Sequence, residues 1–354
     1  MNFQLTISSA FIIIVLGSAT IAYANNENAP ANPQKAATDL IIQQDKIYDP
    51  DTLSYDSLVL YEKKFDFDWN NYTSITPNKK KMDEVDAFIK KTHSDDYSKL
   101  SNADQQALGK IVYKLGTYYI HVLREPNAGI EKINLAVMLL KDKKDKAWAY
   151  NQLAYAYEQK YSADDEDTDK NKALDYSKKV ISEFYPNTKN KEVAFAYYVK
   201  GLVENDAAAY ADAEESLQNA IKMHETIPGG KDDQYAIAKN TLANIMLGKD
   251  GNEQEALAML KQLQRYWEAK GNVDHNPYAA INYLSLGEAD MKLGNTKIAR
   301  DELKKAVNIL QNIYGDNSQL LAEPYQLLSD AYLKLGNQKL SAAYEHKADE
   351  LNRG

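Results

Sequence analysis

The stretch AINYLSLGEADMKLGNTKIARDELKKAVNILQ, residues 280–311, decides the fold. Tyr283, Leu286, Gly287 and Ala289 recur at three- and four-residue spacing, and so do Ala299, Leu303 and Ala306. The spacing predicts two helices, each with one apolar stripe. Gly294-Asn295 lies between them and supplies the left-handed residue that ends a helix in a tight turn. Gly287, Ala299 and Ala306 are small where two helices must approach closely, and Tyr283, Leu286 and Leu303 fill the space between.

Related units begin near Ala194, Ile237 and Ala322, so that successive starts are 43, 43 and 42 residues apart. Small residues return in register at Ala213/Ala220, Ala256/Leu263, Ala299/Ala306 and Ser341/Ala348, and the turn recurs as Gly251-Asn252 and Gly336-Asn337. A fixed period in this range means helical pairs stacked on one another. An earlier pair begins at Ala147, with Tyr150, Leu153, Ala154 and Tyr157 on one face and Ala173, Ser177 and Val180 on the return helix. The charged insert Ser162 to Lys172 reads as a long inter-helix loop. Upstream, a helix is expected from about Ala103, with Leu108, Ile111, Val112, Leu115 and Tyr119; Pro126 to Gly129 breaks it, and Ile130 to Leu140 returns.

These spacings resemble the tetratricopeptide repeat family, in long units like those of kinesin light chains. The last unit repeats the motif as Tyr325, Leu328, Ala331-Tyr332, Gly336-Asn337, Tyr344 and Ala348; the unit at Ala194 keeps Tyr197, Gly201, Ala213, Leu217 and Ala220. The resemblance implies an all-α, right-handed α-solenoid of stacked helix-turn-helix repeats over residues 101–354. It also implies that the first helix of every pair lines the inside of the superhelix. Offsets 1, 4, 8 and 11 from each unit's start would then face inward. On that basis the candidate partner-binding residues are Trp148, Asn151, Tyr155, Phe195, Tyr198, Leu284, Glu288, Met291 and Gln326. The family's carboxylate-clamping members place Lys, Arg and Asn there. This chain lacks that basic set, so capture of a terminal carboxylate is not expected.

The composition excludes several functions. Hydrophobic residues at 44% and charged residues at 26% describe a globular protein. The net charge of −9 argues against a nucleic-acid partner. Arg occurs only at Arg124, Arg265, Arg300 and Arg353, which leaves few forked cations for bidentate recognition. With no cysteine there is no disulfide, thiolate metal site or cysteine nucleophile.

The N-terminal part reads differently. An apolar run from Phe11 to Leu16 leads to Ala22-Tyr23-Ala24, a cleavage signature, so residues 1–24 are expected to be a signal peptide. An uncleaved anchor is the rival reading. Cleavage would leave no integral membrane segment. No cysteine follows the run, which excludes lipoprotein anchoring, and the lack of disulfides suits a bacterial periplasm. Residues 25–45 form an Asn/Ala/Pro-rich linker. Residues 46–100 are an N-terminal segment with helix favoured. Within it, 47–76 fits period two about equally well, and Phe65, Phe67, Trp69 and Tyr72 require burial.

No catalytic constellation is legible, and no cofactor or metal is expected. The five histidines show no metal-ligand spacing. Asp165, Asp167 and Asp169 alternate as in a calcium loop, but Lys170 and Tyr176 stand where Gly and Glu belong. Pro228-Gly229-Gly230-Lys231 resembles the end of a phosphate loop, but Glu225 replaces its first glycine and Asp232 its magnesium-binding hydroxyl, so a turn is expected. The sequence therefore points to a non-catalytic scaffold or adaptor, periplasmic or secreted, that binds a protein or peptide. A self-assembling homo-oligomer is the second reading. An envelope enzyme with its chemistry in residues 45–100 is the third.

Overall fold

The computed structural model describes residues 97–353 apart from Arg124 and Asp250. The expected signal peptide, linker and all but the end of the N-terminal segment lie outside the described residues. Among the described residues there are twelve α-helices and no strand. They fall into two compact units that divide within one helix, between Ala156 and Tyr157.

The first unit holds α1 (Asn102–Tyr118), α2 (Pro126–Leu139) and the first part of α3 (Lys143–Asp164). Ser101 caps α1 by accepting from the Asp104 amide, and Leu108, Ile111, Val112 and Leu115 form its buried stripe. Two glycines set the α1–α2 distance. A Cβ at Gly116 would stand 2.7 Å from Ile133 Cδ1, and one at Gly129 would run into Ile120 Cγ1. Pro126 opens α2 and does not precede it. Its missing N–H costs nothing at the first helical position, where no intrahelical acceptor exists. Pro126 to Gly129, expected as a break, are therefore the first turn of α2.

The second unit continues α3 and adds four further pairs. α4 (Asp167–Lys178) packs back, followed by α5 (Lys191–Asp206) with α6 (Tyr210–Thr226) and α7 (Asp233–Leu247) with α8 (Glu253–Lys270). α9 (Pro277–Lys292) with α10 (Thr296–Tyr314) and α11 (Ala322–Lys334) with α12 (Gln338–Arg353) complete it. The four small-residue pairs read from the sequence, Ala213/Ala220 through Ser341/Ala348, are all buried. A Cβ at Gly201 would lie 2.8 Å from Leu217 Cγ, and one at Gly287 would lie 2.6 Å from Leu303 Cγ. These two helix pairs are closed at the same register by the same glycine-on-leucine contact.

The turns repeat as well. The Asn295 amide donates to Asp290 O at 2.8 Å, Asn337 to Tyr332 O at 2.9 Å and Ala209 to Glu204 O at 2.8 Å. Each bond satisfies a last-turn carbonyl across a residue of positive φ, namely Gly294, Gly336 and Ala208.

One expectation is corrected. Ser162–Lys172 is not a long loop: α3 runs to Asp164 and α4 starts at Asp167, leaving Asp165-Glu166 as the turn. Tyr161 is buried, and the Lys160 ammonium pairs with Asp169 at 2.7 Å, which ties the two extended helix ends together. The same pair removes Asp169 from any calcium-loop role. Among the described residues no group of three His, Cys, Asp or Glu could hold a metal ion. The glycine turn behaves as expected, with Gly229 at φ +68 and His224 Nδ1 bonded to Gly230 O at 2.8 Å.

Candidate functional site

Consecutive first helices of the second unit adjoin one another, α5 to α7, α7 to α9 and α9 to α11, while α6, α8, α10 and α12 pack behind them. Asn240 of α7 donates to Ser285 Oγ of α9 at 2.9 Å, and Asn282 donates to Asn240 Oδ1 at 3.2 Å. Asn282 also donates to Leu260 O at 3.1 Å. These buried amides fix the register between α7 and α9, because a slip would break the bonds that join them.

The candidate residues divide by accessibility. In the first unit, Trp148, Asn151 and Tyr155 are buried on α3. His121, from the π-helical turn Tyr119–Leu123 that follows α1, stacks on Tyr155 at 4.9 Å with the rings 12° apart. His121 Nε2 lies 2.7 Å from Gln152 Oε1. That cluster was not singled out in the sequence, because His121 and Tyr155 are 34 positions apart and neither stands in a motif.

In the second unit, Phe195, Tyr198, Leu284, Glu288 and Met291 are buried, whereas Gln326 is exposed. Beside Gln326 on α11, Leu333 is 56% exposed and Glu323 and Asp330 are half-buried. The accessible part of the first-helix layer is therefore its C-terminal helix. One exposed apolar side chain there stands with two half-buried acids and an exposed amide.

Electrostatics there run one way. Burial, then the nearby Glu288, raises the Glu323 carboxyl to about 8. Burial also raises Asp330, against a hydrogen bond from Gln326 and the charge of Lys334. Part of this acidic face is thus held neutral at ordinary pH by its surroundings. The sequence shows these acids at inward offsets but not that Glu288 and Glu323, one repeat apart, approach each other.

Residues 278–348 match the tetratricopeptide repeat family. Among curated proteins, RxLR effector protein SFI4 of Phytophthora infestans (strain T30-4) is 28% identical over 136 residues, 38% of this chain. The match spans 40% of the length of that protein. Among solved structures, a Rap protein complexed with competence and sporulation factor aligns at a TM-score of 0.53 with 14% identity, over 97% of this chain and 96% of that one. Aspartyl phosphate phosphatase F from Bacillus subtilis aligns at 0.50 with 14% identity, over 100% and 96%. At such identities the likeness is one of fold. Residues 278–348 belong to the tetratricopeptide repeat family, and the helical pairs that precede them in the same unit carry its fold.

Proposed function

We propose that this protein is a non-catalytic adaptor that binds a polypeptide on the first-helix layer of its repeats. The observation that carries the reading is the layer itself. Four first helices stand side by side, α7 and α9 tied by buried side-chain hydrogen bonds, and end in α11, where Gln326 and Leu333 are accessible. A repeat array of this kind presents an extended surface in place of an enclosed catalytic pocket. The solved Rap protein of the same fold holds competence and sporulation factor, which shows for that protein that the architecture accommodates a bound factor. Export to a bacterial envelope is part of the proposal and rests on the Phe11–Leu16 run and the Ala22-Tyr23-Ala24 signature.

The test uses the partner identified by crosslinking in intact cells. Leu333→Asp should weaken its binding by about tenfold or more, the effect of placing a charge in an apolar contact. Its folding should be unchanged, because Leu333 is exposed. Wild-type affinity in a folded Leu333→Asp variant would remove α11 from the interface.

A further inference from the structure

One register position carries different chemistry in each of the last four helical pairs. It joins the last turn of the first helix to the second turn of the return helix. Successive pairs place there Glu204 with Ser216, Leu247 with Met259, Asp290 with Glu302, and Tyr332 with Tyr344. The first is a polar bridge: Ser216 donates to Glu204 Oε2 at 2.6 Å, while Lys200 contacts Glu204 Oε1 and lies 2.8 Å from Ser216 Oγ. The second is apolar. The fourth is an aromatic stack, with ring centroids 5.5 Å apart and planes 6° apart.

The third sets two acids against each other inside the fold. Asp290 is 0% exposed and Glu302 8%. Asp290 Oδ1 accepts from Asn295 Nδ2 at 2.8 Å, but Asp290 Oδ2 and Glu302 Oε2 are buried oxygens with no donor. The shared register sets the two carboxyls against each other, as it does the bonded Glu204 and Ser216 and the stacked Tyr332 and Tyr344. In the α5–α6 pair Lys200 neutralises the acid at this position; the residue at the corresponding place in α9 is Leu286.

We propose that Asp290 and Glu302 share one proton, which stands in for the Lys200 ammonium of the α5–α6 pair, and that its loss makes α9–α10 a pH-operated joint in the repeat array. The proton sits on Glu302 and is donated to the Asp290 carboxylate, which gives the buried pair the donor it otherwise lacks. On deprotonation the Glu302 O–H transfers its proton to solvent water, leaving two carboxylates in contact. Asp290 is also the residue that holds the Gly294-Asn295 turn, through its carboxyl and its backbone carbonyl. Repulsion at that point therefore acts on the joint between the two helices.

The groups that act on Glu302 come from α8, α9 and α10. Lys261 approaches from α8 and Lys305 from α10, and both favour the ionised form, but burial and Asp290 outweigh them and hold Glu302 at about 8. From α9, Tyr283 faces Glu302, with its hydroxyl donating to Glu268 Oε1 at 2.9 Å and the Lys305 ammonium 5.0 Å from its ring centroid. A carboxyl raised in the folded state stabilises the fold at low pH, and this contribution fades as pH climbs through the folded value. The joint is thus tight near pH 6 and loosens through about pH 8.

The experiment is hydrogen exchange and thermal melting of the full chain between pH 6 and pH 9, for wild type and Glu302→Gln, whose amide donates to Asp290 at every pH. Glu323 titrates in the same window, so Glu323→Gln serves as the control background. Wild type is expected to lose about 4 °C or more of melting temperature over this range. Beyond the rise common to all intrinsic exchange rates, α9 and α10 amides should lose protection relative to α5 and α6. Both effects should survive Glu323→Gln and disappear when Glu302→Gln is added to that background. An identical pH slope in Glu302→Gln and wild type would overturn the proposal. Should Glu302→Gln fail to fold, the infrared band of a protonated carboxyl in the Glu323→Gln protein decides. Its presence at pH 7 and loss with α9–α10 protection supports the shared proton, and its absence at pH 7 refutes it.

Discussion

Gly287 offers the sharpest check on how the pairs are closed. In Gly287→Ala the new Cβ would stand 2.6 Å from Leu303 Cγ and 2.7 Å from Leu303 Cδ2. Ordinary carbon contacts sit at about 3.5–4.0 Å, so roughly 1 Å of overlap must be relieved. Leu303 is fully buried, and the nearer atom is its branch point, so the side chain has nowhere to swing and the helices must separate. Overpacking of this kind costs about 1–3 kcal/mol. Against it stands a gain of about 1 kcal/mol in helix propensity for alanine over glycine. The single variant therefore nets only about 0–2 kcal/mol of destabilisation, too small to interpret alone.

A double-mutant cycle with Leu303→Ala separates the two effects. Leu303→Ala should itself cost about 2–5 kcal/mol. In that background the overlap is gone while the propensity gain persists, so adding Gly287→Ala should stabilise by about 1 kcal/mol. The coupling is then about 1–3 kcal/mol, because the propensity contribution cancels between the two arms. Urea unfolding followed by circular dichroism measures all four proteins. Equal effects of Gly287→Ala in both backgrounds would mean that the α9–α10 contact is not where the structure puts it.

Ala299→Phe should destabilise by about 1–3 kcal/mol through overpacking at a buried site, whereas exposed Lys297→Ala should stay within about 0.5 kcal/mol; matched melting curves would refute the helix register. His224 is depressed by burial, which outweighs Asp232 at 3.6 Å and the bond to Gly230 O, so its contribution is complete above about pH 6.5 and lost as pH falls below that. Acid titration of stability should therefore be shallower in His224→Gln than in wild type, and an unchanged curve would exclude His224 as the cause. If the chain is exported and cleaved as proposed, N-terminal sequencing of the secreted or periplasmic protein should begin at Asn25, and recovery of Met1 would end that proposal.

The period, the turns and the small-residue contacts were legible because each depends on a residue type at a fixed offset. Gly294-Asn295, Gly336-Asn337 and the alanines of the return helices carry that information locally. The α3–α4 turn was misread because charge density suggested a loop. The decisive fact is the Lys160–Asp169 pair, which lets a charged segment stay helical. The inward offsets named nine residues, but offset does not determine accessibility: Leu284 and Gln326 occupy equivalent places, and one is buried while the other is exposed. The Asp290–Glu302 pair was invisible for another reason. Each acid alone is an ordinary helix residue, and only the packing of α10 against α9 turns offsets 10 and 22 of one unit into neighbours.

The central claim is that the first-helix layer, at its accessible end, is where a polypeptide binds. A photo-crosslinking amino acid placed at Gln326, and separately at exposed Lys297 on α10, tests it in the full chain inside its native cells. The account predicts a polypeptide adduct through position 326 that is diminished by Leu333→Asp, with none through position 297. Adducts through position 297 alone, or none through position 326, would contradict it.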